Sequence, residues 1–102
     1  MSKLFAVLVE PSGGEGGTAL QLPDHNQRQR AWFVKAANEG TLLACGSYTS
    51  HDGAGLWLLR AGSREAAEAV VRTSPRFLDG MLSMERTRIV EWVVSIGKER
   101  FT

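Results

Sequence analysis

Apolar residues along this chain fall in two kinds of run, short continuous ones and longer ones spaced three or four apart. The first, 3–10 (KLFAVLVE), is rich in Val, Leu and Phe and ends at Glu10-Pro11. Its length predicts a buried strand rather than a helix. Residues 11–22 follow with PSGGEGG and no apolar period, as in a flexible loop. Pro23-Asp24 then marks a helix start, with Asp24 as a cap or as an acid at the positive helix end. From there to Glu39, His25, Gln29, Trp32, Phe33, Ala36 and Ala37 share one face. Arg28, Lys35, Asn38 and Glu39 fall mainly on the other, and Gly40 is placed to leave the helix in a left-handed conformation.

A second strand is expected at 41–47 (TLLACGS) and a third at 56–60 (LWLLR), joined by the turn-like HDGAG at 51–55. Ser63 caps a second helix with Glu65 in its first turn, and Ala66, Ala67, Val70 and Val71 form its buried stripe. Ser74-Pro75 stops it, because a residue before proline avoids helical geometry. A long fourth strand over roughly 82–94 carries Met84, Ile89, Val90, Trp92 and Val93, and residues 95–102 form a tail. The order β-α-β-β-α-β predicts an α+β, ferredoxin-like protomer: a four-stranded antiparallel sheet with both helices on one face. No internal repeat or linker divides the chain, so residues 1–102 read as a single domain.

A sheet with one solvated face alternates apolar and polar residues along its strands. Here Leu4 to Val9 are all apolar, and Leu56 to Leu59 are four large apolar residues in a row. Two helices cover only one face, and an open Leu/Trp/Val face marks an interface. The expected partner is a second copy packed sheet to sheet, giving a homodimer that encloses a barrel-like core. A monomer whose glycine-rich loop and tail fold over the face is the alternative.

Composition narrows the chemistry. With 12 Lys+Arg against 11 Asp+Glu, the net charge of +1 argues against a nucleic-acid or anionic-membrane partner. No apolar run approaches the ~20 residues that span a bilayer. The opening Met1-Ser2-Lys3 and Leu4–Val9 are too short and poorly flanked for a signal peptide, so a cytoplasmic location is expected. The single Cys45 rules out a disulfide framework and a multi-thiolate zinc site, and is expected to pack as a small hydrophobe. His25, Cys45 and His51 lack zinc spacings, and the glycines at 13, 14, 16 and 17 fit neither nucleotide-loop template. No metal or cofactor is therefore expected.

His25 lies one turn before Gln29 on the face that continues into Trp32 and Phe33, a polar pair at the rim of an apolar face. An imidazole there suits a general base, since its reference pKa lies near neutrality. A solvated histidine near a helix start is the plainer alternative. His51 sits in His51-Asp52-Gly53, which turn chemistry already explains. Trp32, Trp57, Trp92 and Tyr48 offer surfaces for stacking on an aromatic ligand, or core.

Taken together, these stretches resemble the YCII-like proteins of the dimeric α/β barrel superfamily. The matching residues are Trp32-Phe33, Glu39-Gly40-Thr41-Leu42-Leu43 and Gly46. They continue through Ser63-Arg64-Glu65-Ala66-Ala67, Ser74-Pro75 with Gly80, and Arg88-Ile89-Val90-Glu91-Trp92, over roughly residues 3–94. The resemblance implies a homodimer and a His-Asp dyad. Its histidine falls eleven residues ahead of Gly40 and its aspartate immediately before the proline, positions that here hold Gln29 and Ser74. Gln is no base near neutral pH, and Ser does not charge-stabilise an imidazolium. A displaced dyad of His25 with Asp79, beside Gly80, is the remaining imidazole arrangement. The reading is a small-molecule-binding homodimer with a cofactor-independent acid–base site of isomerase, lyase or cyclase type. Its substrate would be a small aromatic or polyketide-like metabolite. Ligand contacts fall to Gln29, Trp32, Phe33, Tyr48 and Ser74. The alternatives are a non-catalytic ligand-binding or structural module and a cofactor-independent oxygenase.

Overall fold

Strand β1 (Lys3–Val9) is central, and its register shows why the sheet has one closed face and one open one. It pairs antiparallel with β3 (Gly55–Ala61) on one side and with β4 (Arg88–Glu91) on the other. An edge strand β2 (Leu42–Ser47) pairs antiparallel with β3, so the order across the sheet is β2-β3-β1-β4. The computed structural model describes residues 2–10, 24–49 and 54–101. The glycine-rich loop read over 11–22 lies essentially outside them, as do His51-Asp52-Gly53 of the expected hairpin turn.

Helices α1 (His25–Asn38) and α2 (Arg64–Arg72) bridge β1 to β2 and β3 to β4, giving the ferredoxin-like α+β fold. Phe5, Val7 and Val9 alternate onto the helix-covered face, where Trp57, Leu59 and Ile89 join them against Ala36, Ala67 and Val71. Removing such side chains from water contributes about 1.5–3 kcal/mol each, the main force holding helices to sheet. The stripe on α2 is narrower than its sequence suggests. Ala67 and Val71 are buried, Val70 is half-buried, and Ala66 faces solvent. Likewise Ala37 on α1 is exposed.

The helix ends follow local chemistry. Ser63 Oγ accepts the Ala66 N–H at 3.1 Å, as an N-cap does. Gly40 adopts φ 81°, so the chain leaves α1 left-handed, where a side chain would be strained. Of the two roles open to Asp24, the side-chain cap bond is not made: the residue stands at the N-terminus of α1 and its carboxylate accepts from Arg28 Nε at 3.0 Å.

Two further differences bear on function. Proline does not simply stop the second helix; it opens a short third one, α3 (Pro75–Leu78), with Pro75 in its first turn, where a missing N–H costs nothing. The long fourth strand is also corrected. Met84–Arg86 form a 3-10 turn and only Arg88–Glu91 pair as β4. The stretch read as a tail closes in another 3-10 turn, Lys98–Phe101, with the Phe101 ring 5.7 Å from Trp92 and its carbonyl accepting from Arg60.

On the open face stand Leu4, Ala6, Leu8, Leu56, Leu58, Val90 and Trp92, the alternate residues of the same strands. Leu56, Val90 and Trp92 are 40–43% exposed. Neither α1 nor α2 reaches this face.

Candidate functional site

Topology brings the start of α1, the end of β2, the start of β3 and the whole of α3 to one end of the fold. Within that end, His25 Nδ1 lies 2.7 Å from Asp79 Oδ2, although 54 residues separate them. Asp79 is the C-cap of α3, and Gly80 behind it takes φ 81°, turning the chain so that the carboxylate faces α1. His25 is fully buried, while the Asp79 side chain keeps 17% of its surface.

A third group joins them. Arg28 lies one turn along α1, and its Nη2 sits 2.6 Å from the same Asp79 oxygen while Nε holds Asp24. From sequence alone Arg28 falls on the solvated face of α1; the flexible stem carries its guanidinium back over the edge. Arg28 first, and the His25 ring second, hold the Asp79 carboxyl below its usual range. Asp79 and Asp24 in turn raise the Arg28 pKa. Asp79 is therefore a carboxylate that only accepts, and His25 must present Nδ1–H to it. In the neutral ring that arrangement puts the lone pair on Nε2, the form a base needs. Nε2 is buried and has no hydrogen-bond partner among the described residues.

Gln29, one turn from His25, is just as buried, at 1% exposure. Its Oε1 accepts the backbone N–H of Arg76 at 2.9 Å, tying α1 to α3. Its Nε2 is a second buried nitrogen without a hydrogen-bond partner among the described residues. Ser74 is also fully buried, and its Oγ accepts from Phe77 N as the cap of α3. The structure thus spends Ser74 on folding α3.

Arg76, whose backbone N–H Gln29 holds, lines a cleft of about 60 Å3 between the sheet and α3; His25, Gln29, Ser74 and Asp79 are not among the described residues that line it. Val9, Phe33 and Trp57 supply its apolar wall, Cys45 and Ser47 its β2 side, and Arg76 its charge. Phe33 and Trp57 meet edge to face at 5.2 Å. Arg76 carries no signal in the sequence beyond its place after Ser74-Pro75, and the sequence reading passes over it. Cys45 is corrected too. Sitting on the edge strand, it is an exposed residue at the cleft rather than a packed core residue. Burial at the cleft still raises its thiol pKa, with the charge of Arg76 pulling the other way.

Not every candidate is brought here. Trp32 lies seven residues beyond His25, about 10 Å of helix rise. Its indole N–H donates to Thr73 Oγ1 at 3.0 Å, and it lines the separate groove between α1 and α2. Tyr48 follows Ser47 at the end of β2, its N–H on Ala54 O at 2.9 Å and its ring 41% exposed. His51 lies outside the described residues. Among the described residues no group of three or more His, Cys, Asp or Glu is placed to hold a metal ion, and no helix is long and apolar enough to cross a membrane.

No protein-family profile matches the chain, and no curated protein matches it at a significant level. Solved structures do. One is the 5-chloro-2-hydroxyhydroquinone dehydrochlorinase of Burkholderia phenoliruptrix, in complex with 2,5-dihydroxybenzoquinone. The two share 14% sequence identity and superpose with a TM-score of 0.68, over 94% of this chain and 97% of that one. The likeness establishes a shared fold.

Proposed function

We propose that this protein is a cytoplasmic, YCII-like homodimer that binds a small aromatic molecule between the sheet and α1. In this reading it carries out cofactor-independent acid–base chemistry there. The observation that carries the reading is the pair of buried, unpartnered nitrogens one turn apart on α1, His25 Nε2 and Gln29 Nε2. An unmade hydrogen bond in the interior costs on the order of 1–3 kcal/mol, and sites that tolerate it tend to be sites where a ligand completes it. One nitrogen accepts a proton and the other donates a hydrogen bond, the pair needed to deprotonate a substrate beside an oxygen and orient that oxygen.

Asp79 gives His25 its orientation and tautomer, as a carboxylate does in any acid–base dyad. Arg28 shares the same Asp79 oxygen through Nη2 and so fixes the carboxylate that His25 meets. The dehydrochlorinase of like fold is solved with a quinoid ring, which supports an aromatic ligand and an elimination chemistry for this chain. In such an elimination His25 takes the proton and the leaving group departs with the bonding pair.

The test uses 5-chloro-2-hydroxyhydroquinone, followed by chloride release, and 2,5-dihydroxybenzoquinone, followed by its visible absorbance on binding. Turnover that falls at least a hundredfold in His25→Ala with binding retained is the expected result. An undiminished rate in that variant sinks the reading. A second reading, a ligand-binding module without catalysis, draws on Gln29 Oε1 and Ser74 Oγ both serving to hold α3. It predicts binding of the quinone with no turnover in either protein.

A further inference from the structure

We infer that the groove between α1 and α2 is a second small-molecule site. It takes a free aromatic α-amino acid, with the ring on Trp32 and the two charged groups between Lys35 and Glu39. The helices leave about 520 Å3 between them there. That lies within the roughly 300–1,000 Å3 of small-molecule sites. Trp32, Lys35 and Glu39 fall three and four residues apart on α1, so they form one stripe turned toward α2. The site is separate from the acid–base end of the fold, because Trp32 lies about 10 Å of helix rise beyond His25.

The aromatic surface is fixed in advance. Trp32 donates its indole N–H to Thr73 Oγ1 at 3.0 Å, bridging the two helices, and its ring packs on Phe33 and Trp57 with centroids 5.4 Å away in each case. A ring already held on three sides loses little freedom when a ligand covers it. Trp32 is nevertheless only half-buried, and with buried Ala36 and half-buried Val70 it gives the groove an apolar surface for a ring.

Charge sets the class. Lys35 and Glu39 both line the groove, and neither is ion-paired among the described residues, with the other or with a third group. Lysine ahead of glutamate is the weaker order for a bridge four residues apart on a helix, which leaves both charges open to a ligand. An anion alone would meet Glu39 as a like charge, and a cation alone would meet Lys35. A zwitterion answers both, with its carboxylate at Lys35 Nζ and its ammonium donating to the Glu39 carboxylate. Opposite charges close together above an apolar, aromatic floor match an α-amino acid with an aromatic side chain.

The experiment follows the Trp32 indole N–H signal of the 15N-labelled full-length protein at neutral pH, identified through Trp32→Phe. L-Phenylalanine is titrated in parallel with 3-phenylpropanoate, which lacks the ammonium, and 2-phenylethylamine, which lacks the carboxylate. Phenylalanine should shift the signal saturably and bind about threefold or more tightly than either analogue, the scale of a partly solvated charge contact. Lys35→Gln should remove its advantage over 2-phenylethylamine, and Glu39→Gln its advantage over 3-phenylpropanoate. Both side chains are exposed, so neither substitution disturbs the core. A still Trp32 signal, binding of phenylalanine no tighter than that of either analogue, or a preference that survives in either variant overturns the inference. His25→Ala should bind phenylalanine as the parent protein does, so a failure of the acid–base reading is separable from a failure here.

Discussion

Asp79 and Arg28 face each other across the junction of α1 and α3, with Arg28 Nη2 2.6 Å from the carboxylate oxygen that also meets His25. Because both partners lower the Asp79 pKa, the contact is a stability statement as well as a catalytic one. A carboxyl held lower in the folded state than in the unfolded chain stabilises the fold fully above its unfolded value of about 3.9. That contribution disappears as pH falls through the lower native value. Asp79→Asn should therefore unfold at lower urea than the parent protein near neutral pH, and the gap should close in acid below about pH 3.9. A gap that is the same at both ends of the range contradicts the assignment.

Gln29 offers a test that does not depend on any substrate. Its Oε1 is the acceptor for the Arg76 N–H, so Gln29→Leu keeps the apolar volume and orphans that donor. The expected loss is about 1–2 kcal/mol by denaturant titration, reduced somewhat because the variant also removes an unpartnered Nε2. An unchanged midpoint would mean that the tie between α1 and α3 contributes nothing.

The fold was legible because its signals are local and repeated: apolar runs of strand length, Ser63 as a cap, and Gly40 where φ turns positive. The candidate site was only partly so. His25 and Asp79 could both be nominated from sequence, but their separation depends on α3, an element concealed because Pro75 reads equally as the end of one helix and the start of another. Arg28 escaped because face assignment follows Cβ direction, while a long side chain ends where its charge finds a partner. Arg76 escaped for a different reason. What makes it interesting is the cleft around it, which three strands, α1 and α3 build together.

Cys45 and Arg76 make a further linked prediction. Burial raises the Cys45 thiol pKa, so iodoacetamide should alkylate it more slowly at neutral pH than it does a free cysteine, with the rate climbing above pH ~8.5. Arg76 acts against that rise through its charge. Arg76→Gln should therefore slow alkylation further. Faster alkylation in the variant would show that Arg76 shields Cys45 sterically and does not favour its thiolate.

The open sheet face supplies the last prediction. Leu56 and Val90 are 40% and 43% exposed there, so replacing either with glutamate removes little packing from the single chain. The same substitution in a face-to-face dimer buries a charge opposite apolar residues, a cost of several kcal/mol. Light scattering at low micromolar concentration should give twice the chain mass for the parent protein and a single chain mass for Leu56→Glu, with similar far-UV circular dichroism. The Lys98–Phe101 turn does not replace a partner. It covers the Trp92 and Arg60 end of the face, and Trp92 is still 43% exposed beneath it. Val93 and Ile96, on the segment leading to that turn, are more exposed still at 79% and 92%. A parent protein that runs as a single chain would mean that this much apolar surface is tolerated in water, and would remove the homodimer from the reading.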